Sequence, residues 1–266
     1  MTTSTAIPLP GQVLALLGGL SLLGASLWVL PGSPVTLWRA DAAVGSGQLV
    51  EAVQHYDDVA SNGWTFELRR RALRRSAVLY ATELARPAEA RVRLERALRL
   101  ESDPVVQADL HEQIGHLWAA SREPAIALRS FLAAHAAHPS HRRAPERLVL
   151  AGRTALDADK EPTSAEIWAL LAESYPSHLA VARLAQARLA LVHDDAHRAH
   201  GLFSEALEAA RTPDQRAAAR LGIATSLERL GNLDEAIAEL DQLDLPGGVR
   251  DRRLDSLKVR RDVRGR

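Results

Sequence analysis

The stretch "LVHDDAHRAHGLF", residues 191–203, carries His193, Asp194, Asp195, His197 and His200 within eight positions. Imidazoles and carboxylates at this density are competent ligands for a divalent metal, and a bound metal would supply Lewis-acid or activated-water chemistry. A second candidate is "HEQIGH", where His111 and His116 are five positions apart. A two-histidine zinc site on a helix needs a spacing of four, which returns the second ring to the same face. His193 and His197 have that spacing, so their reading depends on whether one helix carries both.

Other chemistries lack their residues. There is no cysteine, which excludes disulfides, thiolate metal sites and a cysteine nucleophile. No glycine-rich phosphate loop, nucleophile elbow or run of alternating strand residues appears. An enzyme is not expected, and neither is a cofactor. Lysine plus arginine and aspartate plus glutamate number 33 each, so net charge does not steer the chain toward nucleic acid. Hydrophobic residues make up 47% and aromatic ones only 4%, the composition of a helical core built from Ala, Leu and Val.

The N-terminal part divides into a short polar tail, residues 1–12, and the uncharged run "VLALLGGLSLLGASLWVL", residues 13–30. A helix of that length reaches across a bilayer core of about 30 Å. The expectation is a transmembrane helix contacting the lipid bilayer, with a cleaved signal peptide as the competing reading. Residues 1–12 contain no Lys or Arg, and Arg39 lies beyond the run. The positive-inside rule leans the remainder of the chain toward the cytoplasmic side of a bacterial inner membrane, a bias of one residue that leaves the periplasmic side open.

Beyond residue 33 the sequence repeats itself. Small residues followed four positions later by a large one recur as Ala52/Tyr56, Ala90/Leu94, Ala127/Phe131, Ser164/Trp168, Ala199/Phe203 and Ala236/Leu240. The alanines are 38, 37, 72 and 37 residues apart, Ser164 dividing the long interval. Six units of about 37 residues thus fill residues 33–250. Each is expected to hold two helices, the first carrying its own small residue (Ala40, Val78, Gly115, Gly152, Ala187, Ala224) for close approach. No such unit buries its apolar face alone, which is why they occur in arrays.

The register decides the opening question. "HDDAHRA" falls where the last unit has "LGNLDEA" and the third has "SREPAIA", so it joins two helices. Asp195 aligns with Asn232, each placed to cap a second helix, with Glu235 set to complete a capping box. Pro87 and Pro124 fall at first helical positions. His193 precedes the turn and His197 comes after it, so no metal site is expected.

The third unit, "LHEQIGHLWAASREPAIALRSFLAAHAAHP", resembles a tetratricopeptide repeat (TPR) through Ile114, Gly115, Trp118, Ala127, Phe131, Ala134 and Pro139. The sixth, with "GNLDEAI", is similar. The resemblance implies an all-α fold, a right-handed superhelix or α-solenoid of about six TPR-like repeats, acting as a scaffold for protein-protein interaction. It also implies a concave groove lined by first helices, which binds other proteins or peptides. The groove positions are Asp41, Leu79, His116, Arg153, Arg188 and Thr225, with Arg75 and Glu112 among those one turn earlier. Arg75, Glu112, His116, Arg153 and Arg188 are the candidate peptide-binding residues; His116, Arg153 and Arg188 form a basic column, with Arg75 nearby, suited to carboxylates, and the competing reading pairs these arginines with Glu112, Glu146 or Asp157. The lysine and asparagine set with which the family's chaperone adaptors hold a C-terminal carboxylate is absent. The run "ELRRRALRR" reads mainly as a solvated face. The C-terminal residues 251–266 form a basic tail or a capping helix, Leu254 and Leu257 marking its stripe. A nucleic-acid or lipid-surface adaptor using that tail is the alternative; nucleic acid is not the expected partner. With the anchor included, the expectation is an adaptor in the assembly of a bacterial envelope complex.

Overall fold

The computed structural model describes residues 31–243 and 248–264. Every regular element among them is helical: α1 (Pro34–Gly45), α2 (Leu49–Asn62), α3 (Phe66–Thr82), α4 (Pro87–Leu100), α5 (Pro104–Ala120), α6 (Pro124–Ala137), α7 (Ala144–Asp157), α8 (Glu161–Ser174), α9 (Leu179–Val192), α10 (Ala196–Ala209), α11 (Pro213–Leu230), α12 (Leu233–Asp241) and α13 (Val249–Arg264), with one 3-10 turn at Pro176–His178. In chain order α1 to α12 alternate as first and second members of six pairs, and α13 comes after the last. Prolines open five of these helices, at the position where a missing N–H costs nothing.

The chain divides into two compact units, Met1–Leu117 and Trp118–Arg266. In the first, α1 packs on α2, α2 on α3 and α3 on α4; in the second, each helix from α6 to α13 packs on the next. Within each unit, then, a helix is stabilised by its sequence neighbours, the property of a repeat array. All six small-then-large pairs are buried on the second helices. Ser164 serves as well as alanine because its hydroxyl donates to the Gly152 carbonyl at 2.8 Å, so that this buried hydroxyl is satisfied.

A left-handed residue recurs in the turn inside each pair: Gly47, Ala85, Arg122, Asp159, Asp194 and Gly231, with φ between 50° and 86°. Around it the next N–H reaches back five residues, as from Glu123 to the Trp118 carbonyl at 3.0 Å or from Asp195 to Ala190 at 2.9 Å. These bonds satisfy carbonyls left over at the helix end. Four of the six positions hold a side chain that the left-handed region disfavours. Arg122→Gly is therefore expected to stabilise the protein by about 0.5–1 kcal/mol, read as a higher urea midpoint at unchanged slope. A lower midpoint would mean that the arginine side chain contributes more than its backbone strain costs.

The second pair departs from the expected register. Ala77, not Val78, is the buried small residue of α3 (2% against 55% exposed), and Leu79, expected in the groove, is buried. The cause is one extra residue before the turn: Arg86 donates to the Tyr80 carbonyl, six positions back instead of five. Counting a constant interval back from Ala90 lands one position late. A second correction concerns Asn232, whose side chain makes no cap hydrogen bond. The capping box occurs instead at the start of α11, between Thr212 and Gln215.

The membrane localisation is also corrected. Among the described residues no helix is long and apolar enough to cross a membrane. The run 13–30, on which the expected span and its lipid contact rested, lies outside the described residues. Residues 248–264 include a single helix, α13, whose Leu254 and Leu257 join the apolar core of the second unit.

Candidate functional site

The histidine-aspartate stretch resolves into structural roles. Val192 ends α9 and Ala196 begins α10, so His193 and His197 lie on opposite sides of a turn. Asp195 caps α10, its carboxylate accepting from the Arg198 N–H at 3.0 Å. Asp194 takes the left-handed position and faces Arg229 at 3.2 Å. His193 pairs with Glu161 at the start of α8. Each carboxylate thus has a partner supplied by the fold.

Two of the cavities lined by first helices hold expected groove residues beside an open space large enough for a side chain, one in each unit. In the second unit a cavity of about 350 Å³ lies between α7 and α9, bounded also by α8. Its wall is apolar, from Leu156, Trp168, Leu184 and Val192, and both Arg153 and Arg188 line it. These two arginines are exposed and make no ion pair among the described residues. Glu146, a possible partner for them in sequence, lies instead 3.6 Å from His178. The one carboxylate of the lining, Glu161, is engaged by His193. The cavity therefore offers two free guanidinium groups beside an apolar surface, a combination that fits a carboxylate next to a large apolar side chain.

Trp168 positions this wall. The indole packs over Gly152, where a Cβ would come within 2.7 Å of its ring; glycine is what lets α7 and α8 approach. The Trp168 Nε1–H is buried with no acceptor among the described residues. Elsewhere in the unit, the Tyr175 hydroxyl lies 2.7 Å from the Pro139 carbonyl, to which it donates, and 2.8 Å from His135 Nε2. That arrangement calls for a hydrogen on His135 Nε2, which donates to the tyrosine oxygen. Burial first, and then the positive charge of Arg147, lowers the His135 pKa and keeps it neutral. Arg147 itself is completely buried, so it is part of the fold's interior and not of the groove.

In the first unit a larger cavity, about 740 Å³, is lined from α1, α2, α3 and α5. Arg75 lines it but is tied to Asp41, whose other carboxylate oxygen accepts from the Tyr56 hydroxyl at 2.7 Å. Glu112 is buried, with its carboxylate 3.9 Å from His116, and lines neither cavity. His116 borders a small apolar slot with Val78 and Leu117. Of the five expected residues, then, Arg153 and Arg188 share one cavity and Arg75 lines another. Thr225, the last groove position, is occupied from within the unit: the Arg253 guanidinium of α13 donates to its hydroxyl at 2.9 Å.

Sequence reasoning missed Arg71 and Arg74, which line the first unit's cavity from α3. Their neighbours in the run have other tasks: Arg69 bonds the Gly63 carbonyl at 2.8 Å, and Arg70 pairs with Glu101 at 2.8 Å and with Glu67. The hidden signal was the spacing of Arg71, Arg74 and Val78 along one helical face.

No protein-family model matches the chain, and no curated protein matches it significantly in sequence. Solved structures do resemble it. The structure of Naa15/Naa10 bound to HypK-THB matches with a TM-score of 0.55 at 18% identity, over 76% of this chain and 30% of that one. PilF of Pseudomonas aeruginosa matches with a TM-score of 0.51 at 15% identity, over 84% of this chain and 96% of that one. A weaker likeness, TM-score 0.48 at 18% identity over 70% of this chain and 90% of that one, is to YrrB, described as a TPR protein with an unusual peptide-binding site. At these identities the likeness concerns the fold alone, which is all-helical and TPR-like.

Proposed function

We propose that this chain is a non-enzymatic interaction scaffold that binds peptide segments of other proteins on the face made by its first helices. The observation that carries the reading is the pairing of Arg153 and Arg188, both exposed and without ion pairs among the described residues, on one apolar cavity. Most arginines of a protein surface are solvated or paired at little energetic consequence. Two that flank an apolar recess are placed to act together on a ligand carboxylate, while the recess takes the adjoining apolar side chain. The alternative, a basic tail that seeks polyanions, draws less support. Arg253 and Arg260 of α13 both engage Glu228, and Arg261 engages Asp234.

Selection from a displayed library of random peptides tests the reading. Binders enriched on the intact chain are expected to combine a large apolar residue with an adjacent carboxylate. Arg153→Glu with Arg188→Glu should weaken them by about 10- to 100-fold, since each lost charge-assisted bond is worth about 1.5–3 kcal/mol and part of that is recovered as hydration. Far-UV circular dichroism should not change, because both side chains are exposed. Undiminished binding by this double variant would overturn the reading.

A further inference from the structure

We propose that the cavity of the first unit is a second binding site, independent of the one above, and that its ligand is an acidic peptide segment held by Arg71 and Arg74. The lining carries three arginines, Arg71, Arg74 and Arg75, and three carboxylates, Asp41, Glu67 and Glu83. A simple count makes the cavity neutral, but the pairing within it leaves two of the arginines without a carboxylate partner. Asp41 is committed to Arg75 and to the Tyr56 hydroxyl. Glu67 is committed to Arg70, which is not part of the lining. Glu83 accepts only a long contact from the Thr82 hydroxyl, 3.4 Å. Arg71 and Arg74 are exposed and have neither a hydrogen bond nor an ion pair among the described residues.

The two free guanidinium groups stand three residues apart on α3, so they project from one helical face, neighbouring at the Cβ level by about 5–6 Å. Planar five-donor groups at that separation suit two carboxylates, or one carboxylate gripped from both sides. The network around Asp41 holds the floor: Tyr56 is buried, and its hydroxyl is kept protonated by burial, which raises its pKa against the opposing charge of Arg71. Thus Arg71 is already felt at the floor of the cavity, while no fixed carboxylate neutralises it. Val78, exposed and part of the same lining, adds an apolar contact for the ligand's methylenes. At about 740 Å³ the space admits several residues of an extended chain.

Fluorescein-labelled hexaglutamate, titrated against the full chain at low and at physiological salt and read by anisotropy, tests this. Saturable binding that weakens with salt is expected, and a neutral hexaserine control should not bind. Arg71→Ala with Arg74→Ala should reduce the affinity about tenfold or more. In the Arg153→Ala with Arg188→Ala background, which removes the carboxylate-binding pair of the second unit, hexaglutamate should still bind and the Arg71 and Arg74 substitutions should still cause that loss, which separates this site from the peptide site of the second unit. Should the double alanine variant fold poorly, Arg71→Gln and Arg74→Gln singly are each expected to give part of the loss at an unchanged circular dichroism spectrum. No saturable binding, full affinity in all Arg71 and Arg74 variants, or loss of all binding in the Arg153 and Arg188 background would each overturn the proposal.

Discussion

Trp168→Ala is expected to destabilise the protein by about 3–5 kcal/mol, whereas Trp168→Phe costs far less. The indole is 2% exposed and fills the space over Gly152, inside a cluster that also holds Phe131, Leu148 and Leu171. Truncation to alanine removes the ring's transfer energy and leaves a void that two helices fixed at close approach cannot close. Phenylalanine keeps one aromatic ring in that space and gives up two ring carbons and the Nε1–H, a group that has no acceptor among the described residues to lose. Urea unfolding followed by circular dichroism checks both values. Equal destabilisation by the two substitutions would show that the indole N–H, through water, stabilises the site more than its packing does.

The same residue shows how far sequence carries. The pair Ser164/Trp168 was legible because a small residue and a large one four positions on recur at a period set by the repeat, and every such pair is buried. What the period cannot convey is a local change of chain length. The additional residue before the turn at Glu83–Arg86 shifts α3 by one position relative to α4, so Val78 and Leu79 were exchanged with Ala77 and Val78 in the groove register. Caps were legible where a side chain has one competent partner, as with Asp195, and not where the backbone alone completes the turn, as at Asn232.

The candidate sites were legible only in part, for a different reason. Arg153 and Arg188 could be placed because their repeats keep register, and they do share a cavity. The run "ELRRRALRR" covers more than one helical face, and its sequence does not say which arginine finds a partner. That depends on Gly63, Glu101 and Asp41, residues that only the packed helices bring near. Likewise Glu161 could not be discounted as a free carboxylate at the cavity rim until His193, 32 positions away, was seen beside it. Ion pairs between repeats are tertiary facts. A one-dimensional pattern identifies the face and leaves the charge that remains free on it undetermined.

Gly222→Ala should destabilise the second unit by about 1–3 kcal/mol, although the same change in an exposed helix would stabilise it. A Cβ at this position would stand 2.3 Å from two carbons of the Phe203 ring, well inside van der Waals contact. Phe203 is buried among Ala199, Ala206 and Ile223, so the ring has no free rotamer to retreat into, and α10 and α11 must separate instead. Phe203→Leu alone leaves a small void and costs its share of buried carbon. Combined with Gly222→Ala, however, the shorter side chain makes room for the methyl group. The double variant is then expected to be more stable than the sum of the single effects predicts, with a coupling of about 1 kcal/mol or more. This measures directly whether a small residue on one helix and a large one on the next are a single packing unit. Strict additivity in the four-member cycle would mean that Gly222 is required for the backbone of α11 and not for the approach of Phe203.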